Sequence, residues 1–173
     1  MNDLGQLIRV PAVKFERRLD GPVERVWDHL TSPAKLPGWY GEESAIEPRE
    51  GGAVGLMGGH IRGVVTQWRP PVKLAHSWNV FAPGETHSAY PESYLTLELA
   101  ALTLELAADG AGTRLTLTHM PVLERFEPQN AMGWATFLDI LADTLSGAPP
   151  RPRRAYMERN AGLYGVDLAN LAR

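Results

Sequence analysis

The chain predicts an α+β fold in which short antiparallel strands are followed by one long helix towards the C-terminus. Three observations carry that prediction. An alternating segment from Val13 to Leu19 runs straight into an amphipathic helix. Apolar runs punctuated by glycine and proline fill the middle of the chain. Pro128 to Ser146 then carries Trp134, Phe137, Leu138, Leu141 and Leu145 on one helical stripe. At about 1.5 Å per residue this last element is nearly 30 Å long, enough to cross a domain.

Taken in order, Lys14, Glu16 and Arg18 alternate with Phe15, Arg17 and Leu19, a half-buried strand interrupted by Arg17. Asp20-Gly21-Pro22 stops it and supplies an N-cap and a proline suited to the first helical position. Val23, Val26, Trp27 and Leu30 give the following short helix one apolar face. Ser32-Pro33 repeats the cap-plus-proline device and predicts a second helical turn bearing Leu36 and Trp39. Strands are expected at Glu42–Pro48, Ala53–Met57, Ile61–Trp68 and Lys73–Val80, separated by Gly51-Gly52, Gly58-Gly59 and Pro70-Pro71. Phe81 to Pro91 reads as a surface loop.

An identical tandem repeat follows, residues 95–101 and 102–108, each Leu-Thr-Leu-Glu-Leu-Ala-Ala. The period is odd. An unbroken strand would therefore face Leu95, Leu97 and Leu99 one way and Leu102, Leu104 and Leu106 the other. A β-bulge or a sharp bend near Ala100-Ala101 is the expected remedy. A helix competes, because Leu95, Leu99, Leu102 and Leu106 also fall at helical spacing. The Leu-Thr-Leu alternation, matched by Arg114 to His119 beyond a glycine-rich turn, favours a hairpin. After the long helix, Gly147 and Pro149-Pro150 act as a stop. Ala155 to Leu171 is expected to form one or two helical turns broken at Gly162 and Gly165.

Composition bounds the function. At 173 residues the chain fits one domain that buries about two-thirds of its unfolded surface. No run approaches the ~18 apolar residues of a membrane span, and the N-terminus lacks the pattern of a signal peptide, so a cytoplasmic protein is expected. The sequence has no cysteine, which excludes disulfides, thiolate zinc sites and catalytic thiols. A net charge of −3 offers no general attraction for nucleic acid. Arg151, Arg153 and Arg154 concentrate positive charge beside prolines and read as a solvated linker. No Gly-x-Ser-x-Gly, His-Glu-x-x-His or phosphate-loop signature occurs, and no short-spaced His/Asp/Glu set suggests a metal. No cofactor is expected.

Four segments, in this order and spacing, carry a family resemblance. They are Gly21-Pro22-Val23-Glu24-Arg25-Val26-Trp27 with Trp39; Gly63 through Pro70-Pro71 with Leu74 and Trp78; Gly112 through His119; and Gly133-Trp134. Together they resemble the START-like superfamily, in the branch named for the C-terminal domain of the activator of Hsp90 ATPase. The resemblance implies a helix-grip fold: a curved antiparallel sheet wrapped around the long C-terminal helix, with two short helices after the first strand. It is carried by Val13 to about Ser146, in a domain taken as residues 1–149, leaving 150–173 as a C-terminal extension. It also implies a cavity between sheet and helix, large enough for an apolar ligand of a few hundred Å³.

The residues expected to line that cavity are Trp39, Met57, His76, Trp78, Leu117, His119, Trp134 and Phe137. His76 shares a strand face with Leu74 and Trp78, and His119 with Leu115 and Leu117, so both imidazoles should point inward and stay neutral. Arg17 and Arg62 are candidates for a charge near the pocket. The leading expectation is a protein that binds a small hydrophobic or aromatic molecule. The alternatives are a cyclase- or aromatase-like enzyme acting on a polyketide, with His76 and His119 moving protons, and a stress-related co-chaperone. The eukaryotic activator has a separate chaperone-engaging domain for which these 173 residues leave no room, which ranks the co-chaperone last.

Overall fold

A computed structural model describes residues 8–103 and 111–171. β1 (Val13–Asp20) buries Val13, Phe15 and Leu19 and exposes Lys14, Glu16 and Arg18. Arg17 is half-buried, its guanidinium 4.9 Å from the centre of the Phe15 ring. Gly21 turns the chain at φ +99°, a conformation that suits glycine. α1 (Val23–Thr31) then starts one residue later than the proline rule suggests. Pro22 is its N-cap, and the Pro22 carbonyl accepts the Arg25 and Val26 N–H groups. α2 (Pro37–Tyr40) is one turn that buries Trp39 and Tyr40.

Six further strands complete the sheet: β2 (Ala45–Ile46), β3 (Ala53–Leu56), β4 (Ile61–Arg69), β5 (Lys73–Val80), β6 (Ser93–Thr103) and β7 (Ala111–Met120). All neighbours are antiparallel in the order β1-β7-β6-β5-β4-β3-β2. The sheet is curved and unclosed, and α3 (Glu127–Ser146) completes the helix-grip arrangement. Trp134, Leu138, Leu141 and Leu145 of α3 share one core with Leu95, Leu97, Leu115 and Leu117 of the sheet.

The sheet's irregularity lies in β4, where the register shifts between Val65 and Gln67. Nearby, β4 and β5 approach so closely that a Cβ on Gly63 would sit 1.9 Å from the Ser77 carbonyl oxygen. Gly63→Ala is therefore expected to cost about 1–3 kcal/mol by forcing the two strands apart. Urea unfolding checks this, and an unchanged midpoint would contradict the close approach.

The bulge expected near Ala100-Ala101 is not there. β6 pairs regularly with β7 from Tyr94↔Met120 through Leu99↔Leu115 to Thr103↔Ala111. Leu95, Leu97 and Leu99 are buried, whereas Ala101, in phase with them, is exposed. Beyond Glu98 the strand has no partner in β5, and its ladder is with β7 alone. Leu102 is half-buried on the other face, and Leu104 and Leu106 lie outside the described residues.

The tail also departs from expectation. α4 (Arg153–Tyr164) is continuous through Gly162 and ends at Gly165, φ +65°. It packs along α3, with Tyr156 fully buried. The Tyr156 hydroxyl donates to Asp143 at 2.6 Å, and Asn160 donates to Asp139 at 2.9 Å. Arg159 pairs with Asp139 as well, at 2.9 Å. Arg153 is not a solvated linker residue. Its guanidinium lies 4.9 Å from the Phe137 ring centre and donates to the carbonyls of Trp39 and Tyr40. Those carbonyls belong to the short helix α2, whose C-terminal end favours a cation.

Candidate functional site

The inner face of the sheet and the first half of α3 separate at one end, leaving a cavity of about 360 Å³. Ile61, Trp78 and Val80 line it from the sheet, and Trp134 and Phe137 from α3. Tyr90, from the loop before β6, and Phe126, from the 3-10 turn Glu124–Phe126 before α3, meet edge to face at 5.1 Å on its border. Gly133 also lines it. A Cβ built on Gly133 meets nothing within 4 Å, so this helical position holds open room that a side chain would take. Glycine inside a helix costs about 0.5–1 kcal/mol relative to alanine.

One polar chain crosses the wall. The Trp134 indole N–H donates to His119 Nδ1 at 3.0 Å, so that nitrogen must carry a lone pair. The proton of the neutral imidazole then sits on Nε2, which donates to Ser93 Oγ at 2.8 Å. The Ser93 hydroxyl in turn donates to the Trp78 carbonyl at 3.2 Å. This order of donors selects one tautomer of His119 from its partners alone. Protonating Nδ1 would set an N–H against the indole N–H. Burial, with the nearby His76 adding repulsion, pushes the His119 pKa down to about 4.

His76 is the other inward histidine. It is 1% exposed, and its Nδ1–H donates to the Ser77 carbonyl at 2.9 Å. Its Nε2 is buried without a partner. Burial pushes its pKa down to about 4, partly offset by the bond to Ser77. Both inward placements match the strand parity of Leu74, Trp78, Leu115 and Leu117.

Of the eight expected lining residues, Met57, Trp78, His119, Trp134 and Phe137 border the cavity. Trp39, His76 and Leu117 do not. Trp39 stands behind Phe137, ring centres 6.3 Å apart, with its indole N–H given to the His29 carbonyl. Leu117 is fully buried in the core two residues before His119, and His76 sits two residues before Trp78, rings 6.0 Å apart. Parity reports which face a side chain joins but not how far along the strand the helix lifts away. Ser93, in phase with Leu95 and Leu97, was open to the same parity argument. Tyr90 and Phe126 sit in connections with no period to read. Arg17 and Arg62 do not border this cavity.

Among the described residues, no group of three or more histidine, aspartate or glutamate side chains is placed to hold a metal ion. Among the same residues, no helix is long and apolar enough to cross a membrane.

A curved open sheet, one long helix across it and an apolar cavity at one end define a helix-grip protein of the START-like kind. The profile of the family described as activator of Hsp90 ATPase homolog 1-like protein matches residues 20–146, and the chain belongs to that family. Solved structures agree. CalU16 from Micromonospora echinospora is 27% identical with a TM-score of 0.67, covering 89% of this chain and 86% of that one. DynU16, a putative protein in the dynemicin biosynthetic locus, is 21% identical with a TM-score of 0.63, covering 82% of this chain and 50% of that one. An HSP90 activator from Plasmodium falciparum is 20% identical with a TM-score of 0.61, covering 82% and 99%. The last two likenesses are of fold. The search of curated proteins finds no match.

Proposed function

We propose that this protein binds a small apolar or aromatic molecule in the cavity between Trp78 and the first half of α3. The observation that carries the reading is the open space at Gly133 beside Trp78, Trp134 and Phe137. Aromatic walls of this kind contribute large contact areas and stack on flat ligands. The fold likeness to DynU16, a protein of a biosynthetic locus, is in keeping with a small-molecule ligand.

Cyclase-like chemistry would need His76 or His119 to move a proton at the ligand. His119 has both ring nitrogens engaged, and His76 does not border the cavity. Binding is the reading these polar groups favour.

Filling the cavity tests it. Aromatic ligands should quench tryptophan fluorescence and raise Tm, by the equivalent of about 2.7 kcal/mol when the ligand is at a hundredfold its Kd. Gly133→Leu should abolish both effects while leaving the free protein as stable or more so, since leucine is the better helix former by roughly 0.5–1 kcal/mol. The reading falls if a broad aromatic screen leaves the native protein unchanged, or if the leucine variant binds as before.

A further inference from the structure

Met57 and His60 line a second space as well, a cleft of about 400 Å³ between the turn joining β3 to β4 and residues Phe81–Gly84. Alternation along β4 assigns Ile61 to the cavity and Arg62 to the cleft. These two side chains leave opposite faces of the strand, and the two spaces adjoin around the turn, where Met57 and His60 line both. Met57 has φ +56°, a left-handed conformation that costs a methionine roughly 1 kcal/mol. The turn holds it there: the Met57 N–H donates to Ser44 Oγ at 3.0 Å and the Gly58 N–H to the Glu43 carbonyl at 2.9 Å. The unbranched side chain of Met57 is suited to shift between two ligands or two parts of one.

In the cleft, Arg62 is held twice on one side. Its Nε–H donates to the Gly59 carbonyl at 3.0 Å, and its guanidinium lies 4.4 Å from the Phe81 ring centre. Arg49, Arg154 and Arg159 each pair with a carboxylate. Among the described residues, Arg62, like Arg18 and Arg69, has none, and its terminal amino groups are unbonded by the protein. Glu42 lines the cleft too, a carboxylate that also acts on Arg153 and whose repulsion the Arg62 contact has to outweigh. A planar guanidinium braced at Nε presents its terminal edge for two parallel bonds, the geometry a carboxylate takes.

We propose that the cleft is the polar half of a two-compartment site, in which Arg62 takes a carboxylate on a short arm whose aromatic body occupies the cavity. The proposal rests on the binding reading of the cavity, and it names the ligand class as an aryl-alkanoic acid. Naphthylbutanoic acid and its uncharged amide, naphthylbutanamide, are matched probes, read by tryptophan fluorescence on the intact chain. The native protein is expected to bind the acid about tenfold more tightly than the amide. Arg62→Gln should weaken the acid about tenfold and leave the amide unchanged, with Arg62→Lys in between. Because Arg62 is exposed, these variants should keep the native Tm. If acid and amide bind the native protein alike, or the glutamine variant weakens both equally, the cleft proposal is overturned while the cavity reading stands. If neither probe nor any uncharged aromatic binds, the cavity reading fails and takes this proposal with it.

Discussion

Replacing Leu141 by alanine is expected to lower the unfolding free energy by about 2–5 kcal/mol. Leu141 is 0% exposed, on the α3 stripe between Leu138 and Leu145, both 1% exposed. Its surroundings are a hydrogen-bonded sheet on one side and a helix pinned by α4 on the other. Neither can collapse readily into the space that three lost carbons leave, and an uncollapsed cavity is the costlier kind. Against a typical total of about 5–15 kcal/mol, the loss is a large fraction. Urea unfolding should show a lower midpoint with the slope retained. Leu163, 71% exposed on α4, serves as the control, with alanine there expected within about 0.5 kcal/mol of native. A Leu141→Ala effect as small as the control's would mean that α3 is not packed as described.

Mild acid is expected to destabilise the protein through His76 and His119. Both are neutral in the fold, with pKa values pushed down to about 4 from the ordinary 6.5. Between those values the unfolded chain binds protons that the folded one refuses. The stability slope with pH is therefore positive, about 1.4 kcal/mol per unit for each fully titrating histidine. Stability is complete above about pH 6.5 and is lost as the pH falls towards 4. At about pH 5 the loss is roughly 2 kcal/mol per histidine relative to about pH 7. The indole N–H aimed at His119 Nδ1 and the burial of His76 supply the cause in geometry. Denaturant unfolding across this range measures the slope. His76→Leu should remove about half of it, because leucine titrates nowhere. A flat profile from about pH 7 to pH 5 would show that both rings reach solvent.

The bounds of β3, β4, β5 and the long helix were legible because they follow from local periods, whereas the strand expected at Glu42–Pro48 is reduced to Ala45–Ile46. β5 spans Lys73–Val80 as its flanking prolines and alternation suggest, and α3 begins one residue before Pro128. Inward orientation of His76 and His119 was equally legible, being a matter of counting by two from Leu74 and Leu115. The tail was not. Gly162 reads as a breaker in isolation, yet α4 runs through it because Tyr156, Arg159 and Asn160 find Asp139 and Asp143 on the back of α3. Those carboxylates lie more than a dozen residues away, and no local window contains both partners.

By itself, then, the sequence determined the longer strands and the long helix, the inner face of β1, β5 and β7, and the family to which the chain belongs. Tertiary structure decided where inward-facing residues are core and where they are wall. Trp39, His76 and Leu117 lie where α2 and α3 close on the sheet, while Trp78, His119 and Trp134 lie where the surfaces part. It also decided that β6 continues in phase past Ala101, since the ladder with β7 persists after the pairing with β5 has ended. The physical reason is the same in each case. Periodicity records which side of an element is apolar, but the distance between two packed elements depends on all the side chains between them.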